Sequence, residues 1–520
     1  MTRDGINKSL WQETISNEYI SSNIKVTSDT IYDVLIVGGG ITGISTGLQL
    51  QKAGKSVLIA EAYNIGFGTT GGTTAHLNSF LDCSYADVQK KFNREDANLL
   101  ADAIQQSLSL IKSNIAQYQI NCEYKNLPAY LFAQNKSEIQ ELDDIFKATK
   151  EVGVDVNYTE QLPFKTEYEK ALVFDQQAQF HPLKYLNGIA KAFTNEGGII
   201  LENCRITGII ENEVLELESS QGIIKAQQLI YATHIPPGVN LLHFRCAPYR
   251  SYALSILLQR EADYPDALIY DMEDPYHYIR TQEIDGQKHL IVGGEDHKTG
   301  HETNTQICFT KLESYARKHF QIAKVTHQWS SQYFEPADGL AYIGHLPGAD
   351  ERVFVATGFG GNGMVYAGIS AILLTDLIVH GKNEYEELLD PNRIKMVAGF
   401  KNFAKEAADV VQKLIATVVP PEALHELAGI APGEAKLVKY EGSRLAVYKD
   451  ENGSIHAVNP ACTHIKCEVA WNDTEKSWDC PCHGSRFDID GNVLTAPARK
   501  NLEQVNIETL LEKEMEKTDR

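Results

Sequence analysis

Two short segments near the C-terminal end combine cysteine and histidine in the pattern of a metal centre. The first is Cys462-Thr463-His464 and the second is Cys480-Pro481-Cys482-His483, and fifteen residues separate them. Two thiolates and two imidazoles can hold a [2Fe–2S] cluster, with both thiolates on one iron and both imidazoles on the other. The same ligand types also form tetrahedral zinc sites, so the ligands alone leave both metals open.

The sequence around these ligands separates the two alternatives. Residues 460–502, PACTHIKCEVAWNDTEKSWDCPCHGSRFDIDGNVLTAPARKNL, resemble the Rieske [2Fe–2S] family along their whole length, including Trp471 and Trp478. Four ligands alone are enough to bind zinc, whereas the similarity here extends over the residues around them, so the resemblance favours the cluster. The cluster ligands that it implies are Cys462, His464, Cys480 and His483.

The same resemblance assigns roles to three further residues. It implies a disulfide between Cys467 and Cys482, and the alternative is a pair of reduced, buried thiols, because disulfides are uncommon in the cytosol. Ser485, which follows the His-Gly pair, would donate a hydrogen bond to the cluster and so raise its reduction potential.

A glycine-rich turn near the N-terminal end follows a strand-like apolar run. Residues 32–37 read YDVLIV, Gly38, Gly40 and Gly43 follow with the spacing G-x-G-x-x-G, and a second apolar run ends in Glu61. Such a strand, turn and helix bind a pyrophosphate at the helix N-terminus, and the acidic residue binds ribose hydroxyls. This pattern predicts a Rossmann-type dinucleotide site but does not distinguish FAD from NAD.

Two further glycine-rich segments favour FAD. Residues 66–76 read GFGTTGGTTAH and residues 353–364 read VFVATGFGGNGM. Both resemble the superfamily of FAD enzymes that includes D-amino acid oxidase, glycine oxidase and sarcosine oxidase, and the resemblance covers about residues 30–390. It implies that the first segment lies along the diphosphate and isoalloxazine, and that a helix N-terminus after the second faces the flavin. The implied cofactor-binding residues are Gly38, Gly40, Gly43, Glu61, Gly68, Thr73, Thr74, His76, Gly358, Gly361, Asn362, Gly363 and Met364.

The two resemblances imply an α/β fold: a Rossmann-type FAD-binding domain with an interleaved α+β substrate domain, followed by a small all-β Rieske domain. The expected ranges are 1–30 for an N-terminal extension, 31–420 for the FAD-dependent oxidoreductase (FAD-binding parts about 31–84, 171–235 and 330–390), and 427–515 for the Rieske domain.

Local patterns support a boundary between these domains. Helical spacing from residue 384 to residue 419 ends at Pro420-Pro421, which cannot continue a helix. Apolar runs at 445–448 and 455–458, separated by a turn sequence, predict strands of a small antiparallel domain.

FAD and a cluster in one chain predict an electron-transferring oxidoreductase. Val292-Gly293-Gly294 lacks the third glycine of a second dinucleotide fingerprint, so NAD(P)H is not expected to reduce the flavin. The resemblance to FAD enzymes implies instead an amine or amino acid substrate, whose electrons pass from FAD through the cluster to an external electron carrier. Three alternatives stay open: an oxygen-using oxidase, a reductase or oxygenase in which electrons run from the cluster to the flavin, and a redox sensor without turnover.

Three residues are candidates for contact with the substrate. Arg280 could bind a substrate carboxylate through its guanidinium fork, and Tyr252 could lie beside it. His345 could approach the flavin. The alternatives are a surface salt bridge for Arg280, a packed aromatic side chain for Tyr252 and a structural role for His345.

His76 raises the question of a covalent flavin. In dimethylglycine and sarcosine dehydrogenases, a histidine just after a Gly-Ser-Thr-Trp sequence is bonded to the flavin, and here residues 72–75, GTTA, precede His76. The tryptophan is missing, and Leu77 and Asn78 replace the small residues that follow. Covalent and non-covalent binding both stay open.

The composition restricts the partners. The chain has 48 Lys and Arg against 69 Asp and Glu, a net charge of −21, which argues against nucleic acid or an anionic membrane and is compatible with a basic redox protein. We find no uncharged apolar run of membrane-spanning length, and residues 1–30 lack a signal-peptide pattern. We therefore expect a cytoplasmic protein, with an oligomeric state that the sequence does not indicate.

Overall fold

The structure is a computed structural model, and it describes residues 4–15, 30–393, 422–423, 430–440 and 443–506. Its helices are α1 (Leu10–Glu13), α2 (Ile41–Lys52), α3 (Tyr85–Lys91), α4 (Arg94–Gln117), α5 (Ile139–Glu151), α6 (Pro182–Asn195), α7 (Gln306–His319), α8 (Gly363–His380) and α9 (Glu386–Leu389), with 3₁₀ turns at Thr69–Gly71, Leu241–Phe244 and Glu261–Asp263. Its strands are β1 (Ile31–Val37), β2 (Val57–Ala60), β3 (His76–Leu77), β4 (Lys125–Ala133), β5 (Val156–Thr159), β6 (Lys170–Gln179), β7 (Ile199–Leu201), β8 (Ile206–Glu211), β9 (Leu215–Ser219), β10 (Gly222–Tyr231), β11 (Cys246–Leu258), β12 (Leu268–Asp271), β13 (Tyr278–Ile284), β14 (Gln287–Lys298), β15 (Ile322–Pro336), β16 (Tyr342–His345), β17 (Val353–Thr357), β18 (Glu422–Ala423), β19 (Ala435–Tyr440), β20 (Ser443–Lys449), β21 (Ile455–Val458), β22 (Ala470–Asn472), β23 (Ser477–Asp479), β24 (Arg486–Phe487) and β25 (Val493–Thr495).

The first sheet has a parallel centre, with the strand order β16-β17-β10-β1-β2-β7. Strands β17, β10, β1, β2 and β7 pair in parallel, while β16 and the β8–β9 hairpin pair antiparallel. The apolar runs in β1 and β2 suit this position, because the strands of a parallel sheet are covered on both faces. Helix α8 is apolar on all sides and long enough to cross a membrane, but 67% of it is buried within the protein, as is typical of a core helix.

The second sheet has nine strands in the order β15-β11-β14-β13-β12-β4-β6-β3, with β5 on β6. Its strands come from two stretches of chain that alternate with the strands of the first sheet. Buried side chains of this sheet pack against α7 in one cluster, which includes Phe309 and Leu312. The predicted fold of a Rossmann-type domain with an interleaved α+β domain is confirmed.

The C-terminal part forms two small sheets, β18-β19-β20-β21 and β22-β23-β24-β25. The strands predicted at 445–448 and 455–458 are confirmed, since they lie within β20 and coincide with β21. A shared core that includes Trp478, Phe487 and Val493 holds the domain together. The predicted small all-β domain is confirmed.

The helix predicted over residues 384–419 is wrong at residues 390–393, where the chain is not helical. Helix α9 ends at Leu389, and Asp390, immediately before Pro391, has φ −53° and ψ 123°, outside the helical region. A residue that precedes proline is driven out of the helical region, which explains the early stop. Residues 394–421, including Pro420-Pro421, lie outside the described residues, so the domain boundary stays a prediction.

Residues 4–15 contact both the FAD-type domain, residues 30–393, and the C-terminal domain. Trp11 is fully buried, and its indole N–H donates at 2.6 Å to the carbonyl of Thr73, in the glycine-rich segment of residues 66–76. At the other end, the side chain of Asn7 donates to the carbonyl of Thr474 at 2.8 Å, in the C-terminal domain.

A buried ionic network strengthens this connection. The Arg486 guanidinium lies 2.9 Å from Asp4 and 3.0 Å from Asp479, and Arg250 of β11 lies 3.6 Å from Asp479. All four residues are at most 4% exposed. Buried charges are tolerated when they are paired, so these pairs bind the N-terminal segment, the second sheet and the C-terminal domain to one another.

Candidate functional site

A cavity of about 300 Å³ lies where the two large sheets meet the C-terminal domain. Its walls come from the ends of β1 and β2, the segment 67–78, strands β11, β13 and β15, the start of α8, and residues 494–499 near β25.

Glycine at two positions makes the turn after β1 possible. Gly38 has φ +115°, a conformation that favours glycine, and a side chain there would collide with the carbonyl of Ala232. A side chain at Gly43 would collide with the carbonyl of Gly38. The turn therefore packs directly on α2 and the residue after β10, and the N-terminus of α2 lies in the cavity wall, where the Ile41 N–H donates to the Thr70 hydroxyl at 3.1 Å.

Glu61 lies beside this turn at the end of β2. Its carboxylate accepts hydrogen bonds from the backbone N–H of Gly39 at 2.7 Å and of Tyr63 at 2.9 Å. Burial raises the pKa of Glu61, and these hydrogen bonds oppose the shift. The two bonds hold the carboxylate at the cavity wall, in the place that the sequence pattern predicts for a ribose-binding group.

The structure brings most of the predicted cofactor-binding residues together. Gly43 and Gly358 do not line the cavity and instead shape the turns next to it, Gly358 with φ +69°. The predicted residues that line the cavity are Gly38, Gly40, Glu61, Gly68, Thr73, Thr74, His76, Gly361, Asn362, Gly363 and Met364.

His76 lies in the cavity wall between two tyrosines. Its ring meets those of Tyr270 and Tyr278 edge to face, at centroid distances of 5.3 Å and 5.6 Å. Burial, together with the nearby positive charge of Arg280, lowers the pKa of His76, which keeps the imidazole neutral. Covalent attachment of a flavin to His76 stays a prediction.

Two of the predicted substrate residues do not reach the cavity. Arg280 is fully buried beside it, and its guanidinium donates to the carbonyls of Ala75 at 2.8 Å and Phe180 at 3.3 Å, and to Gln282. His345 is exposed at the end of β16 and packs against Phe354. The Arg280 Nη1 and Nη2 donors are therefore used by the protein itself, while its buried Nε has no hydrogen-bond partner. These contacts indicate a structural role.

Tyr252 contributes to the wall of the cavity, but its phenol is directed elsewhere. Its hydroxyl bonds with His297 at 2.8 Å, and its ring packs edge to face on Phe309 of α7. This contact belongs to the core beneath α7, so contact of Tyr252 with a substrate stays a prediction.

Sequence reasoning missed several residues of the cavity. Trp329 of β15 is fully buried and donates to the carbonyl of Gly72 at 2.7 Å, which holds the glycine-rich segment in place. Two acidic residues, Asp82 and Asp296, also line the cavity, and Glu335 lies beside it. No sequence pattern could have grouped the three acids, because they come from distant segments of the chain.

The cysteine and histidine residues of the C-terminal domain meet between two loops. The Cys462 and Cys480 thiols are buried and hydrogen-bonded to each other, and the rings of His464 and His483 lie 4.9 Å apart. All four ring nitrogens lack a hydrogen-bond partner. Burial lowers the pKa of His464 to about 4 and of His483 to about 3, so both imidazoles are neutral. Two adjacent thiols and two neutral, unpartnered imidazoles fit the ligand set of a [2Fe–2S] cluster.

Two more of the predicted features are present at this centre. A disulfide joins Cys467 to Cys482 and so links the two loops. The pKa of Cys462 is lowered to about 7. The hydrogen bond with the Cys480 thiol is the largest cause, and a hydrogen bond with the Ser485 hydroxyl contributes less. Ser485 therefore lies where it can donate a hydrogen bond to a sulfur of the centre.

The cysteine–histidine centre and the cavity share a wall within one chain. The side chain of Gln332 lines the cavity and donates to the carbonyl of Gly484 at 2.8 Å, next to His483. The backbone N–H of Ala498, another lining residue, donates to Ser485 at 3.0 Å. The loop that carries two of the four candidate ligands is therefore in direct contact with the cavity wall.

Comparison with known proteins identifies both parts. Residues 33–377 match the family model described as FAD dependent oxidoreductase, and residues 422–506 match the Rieske [2Fe-2S] domain. A putative Rieske 2Fe-2S iron-sulfur protein, YhfW, of Bacillus subtilis (strain 168) is 34% identical over 484 residues, 92% of this chain and 94% of that protein. Gamma-glutamylputrescine oxidoreductase of Escherichia coli (strain K12) is 23% identical over 362 residues, 66% of this chain and 83% of that protein.

Solved structures resemble the first part of the chain. Glycine oxidase from Geobacillus kaustophilus has a TM-score of 0.60 at 16% identity and covers 70% of this chain and 99% of its own. L-proline dehydrogenase from P.horikoshii has a TM-score of 0.57 at 18% identity and covers 70% of this chain and 97% of its own. These similarities show the fold.

Proposed function

The chain belongs to the FAD dependent oxidoreductase family and carries a C-terminal Rieske [2Fe-2S] domain, and on this basis we propose that it oxidises an amine or amino acid and passes the electrons through the cluster to an external acceptor. Bound FAD supplies a hydride acceptor for the carbon beside an amine nitrogen, and the cluster supplies a one-electron carrier. The E. coli relative named gamma-glutamylputrescine oxidoreductase and the similar fold of glycine oxidase support a nitrogen-containing substrate.

Within this proposal, the residues of the cavity hold FAD. The turn at Gly38 and Gly40 and the N-terminus of α2 bind the pyrophosphate, and Glu61 binds the ribose. The N-terminus of α8, at Gly363, stabilises negative charge on the reduced flavin ring. In the C-terminal domain, the residues that hold the cluster are Cys462, His464, Cys480 and His483.

The observation that carries the proposal is the shared wall between the two sites. Gln332 touches both the cavity and Gly484, and Ala498 touches both the cavity and Ser485. A cluster domain that served an unrelated purpose would have no need to pack its ligand loop on the FAD cavity. This contact supports transfer of electrons between the two sites of a single chain.

An anaerobic optical and EPR titration tests the proposal. Purified holoprotein receives a panel of amines and amino acids, and we expect the oxidised flavin absorbance to fall and the EPR signal of the reduced Rieske cluster to follow. If dithionite reduces the cluster while no amine or amino acid bleaches the flavin, the proposed oxidation is wrong.

A Cys480→Ser variant provides the matched control for the electron path. Loss of this ligand should abolish the cluster signal while the substrate still bleaches the flavin, and reduction of an added one-electron acceptor protein should stop. Oxygen consumption that is fast in the wild type and unchanged in Cys480→Ser would favour an oxidase instead.

A further inference from the structure

Three carboxylates gather at the part of the cavity formed by the loop before α8. An Asp82 oxygen accepts a hydrogen bond from the backbone N–H of Gly361 at 3.1 Å. A Glu335 oxygen lies 3.1 Å from the position that a side chain at Gly360 would occupy. Asp296 lines the same cavity as Asp82. Burial and then the charge of Asp82 raise the pKa of Glu335 to about 8, with a smaller contribution from Asp296 and an opposing one from Lys91.

Tyrosines surround this acidic group. The Tyr333 hydroxyl donates to Asp296 at 2.9 Å, and the Tyr276 hydroxyl lies beside Gly361. Tyr276 and Tyr278 line the cavity with their rings 5.8 Å apart. Aromatic faces next to carboxylates form a favourable surface for an organic cation.

The wall of the cavity also carries a buried amide oxygen that the protein does not use. Asn78 lines the cavity and is only 7% exposed, and its Oδ1 has no hydrogen-bond partner while its Nδ2 donates to Tyr270 at 2.7 Å. Asp296 Oδ1 is also buried, near the Ser251 hydroxyl. Buried acceptors are normally hydrogen-bonded, so the amide oxygen of Asn78 indicates a ligand that supplies N–H donors.

Among the residues that the structure describes, no positive side chain lines this part of the cavity in a position to hold a substrate carboxylate. Among the cavity-lining residues that the structure describes, the arginines are Arg205 and Arg499, which donate to the carbonyls of Val493 and Pro237. Arg280 is committed to backbone carbonyls outside the cavity. None of the ion pairs in the described part of the chain involves Asp82, Asp296 or Glu335, although Lys91 and His277 lie within electrostatic range.

We propose, on the basis of the amine-oxidising function above, that Asp82, Asp296 and Asn78 bind an ammonium group in a substrate that is a diamine or polyamine without a carboxylate. The nitrogen beside the oxidised carbon must lose its proton, because its lone pair forms the new C=N bond as the hydride leaves. Carboxylates favour the protonated form of a neighbouring amine. They are therefore suited to hold the second, unreacting nitrogen.

Three compounds of matched length test the proposal with the holoprotein. Putrescine has two ammonium groups, butylamine lacks one of them, and gamma-aminobutyrate replaces one by a carboxylate. Isothermal titration calorimetry should show binding in the order putrescine, butylamine, gamma-aminobutyrate, and anaerobic flavin bleaching should follow the same order. Tighter binding of gamma-aminobutyrate than of putrescine would overturn the proposal.

Variants test whether binding depends on these particular carboxylates or only on the net charge of the protein. Asp82→Asn and Asp296→Asn should each weaken putrescine binding by about tenfold or more, the effect of losing one charge-assisted hydrogen bond. Asparagine at position 82 keeps an oxygen for the Gly361 N–H. If one variant fails to retain FAD, the other provides the same test. Asp175→Asn, an exposed position of β6, makes the same charge change and should leave binding unaltered.

The two readouts distinguish this proposal from the proposed function. If putrescine binds, loses affinity in both variants, and yet no compound bleaches the flavin, the ammonium site stands and the oxidation fails. If amino acids bleach the flavin and both variants behave as wild type, the oxidation stands and the ammonium site is wrong.

Discussion

The cysteine–histidine centre and the acidic part of the cavity are assembled in opposite ways. The centre takes its candidate ligands from two loops of one small domain, between Cys462 and His483, and a disulfide ties these loops together. The acidic group takes Asp82, Asp296 and Glu335 from three distant segments. A site made of neighbouring loops has a sequence signature, whereas a site assembled from distant strands and loops has none.

The largest effect that we expect is loss of the cluster in Cys462→Ser. Removal of one thiolate should abolish the EPR signal of the dithionite-reduced protein, because two thiolates hold one of the irons. Flavin content should remain, because the Cys462 loop contributes no residue to the cavity wall. The EPR signal and the ratio of flavin to protein are the measurements.

Cys83→Ser is the control, since Cys83 is a free cysteine outside the C-terminal domain. It should keep both cofactors. If Cys462→Ser lost flavin to the same extent as cluster, the two sites would not be independent, and the contrast drawn between them would be wrong.

A smaller effect, on stability, should follow from Arg280→Met. The change leaves the carbonyls of Ala75 and Phe180 without their donor, and we expect it to lower the free energy of unfolding by about 3 kcal/mol. The KM for the amine should not change, because Arg280 does not line the cavity. Urea unfolding and steady-state kinetics provide the two measurements.

Arg317→Met is the matched control, because Arg317 forms an exposed pair with Glu313 on α7. Such pairs contribute about 0 to 1 kcal/mol. A raised KM with unchanged stability in Arg280→Met would restore the role that the sequence suggested for Arg280.

The smallest effect should appear in the pH dependence of cation binding. Burial raises the pKa of Asp296 to about 7 and of Glu335 to about 8, so both carboxyls gain negative charge as the pH rises through these values. Affinity for tetramethylammonium, which does not titrate, should therefore rise by roughly three- to tenfold over this range.

The neighbouring charges of Asp82, Lys91 and His277 also act on these two carboxyls. In Asp296→Asn the rise in affinity should become smaller, and the pH at its midpoint should move towards the pKa of Glu335. Calorimetric titrations at a series of pH values measure the effect, and a pH-independent affinity in the wild type would contradict it.

Much of the fold and of both cofactor sites could be predicted because the relevant residues are close in the chain. The turn at Gly38 with Glu61, the four candidate cluster ligands and two strands of the C-terminal domain all depend on local spacing. The Cys467–Cys482 disulfide followed from the resemblance to the Rieske family. By contrast, the helix expected after residue 384 stops at Pro391, where a local steric restriction overrides the helical pattern.

By itself the sequence determined which cofactor sites are present, because phosphate-binding turns and paired Cys/His loops need particular residues at short separations. Only the tertiary structure decided that Arg280 donates to backbone carbonyls, that Gln332 joins the cavity to the cluster loop, and that Asp82 and Asp296 line one cavity. These contacts depend on the pairing of strands far apart in the chain. The register of those strands sets which side chains share a face, and no spacing along the sequence reports it.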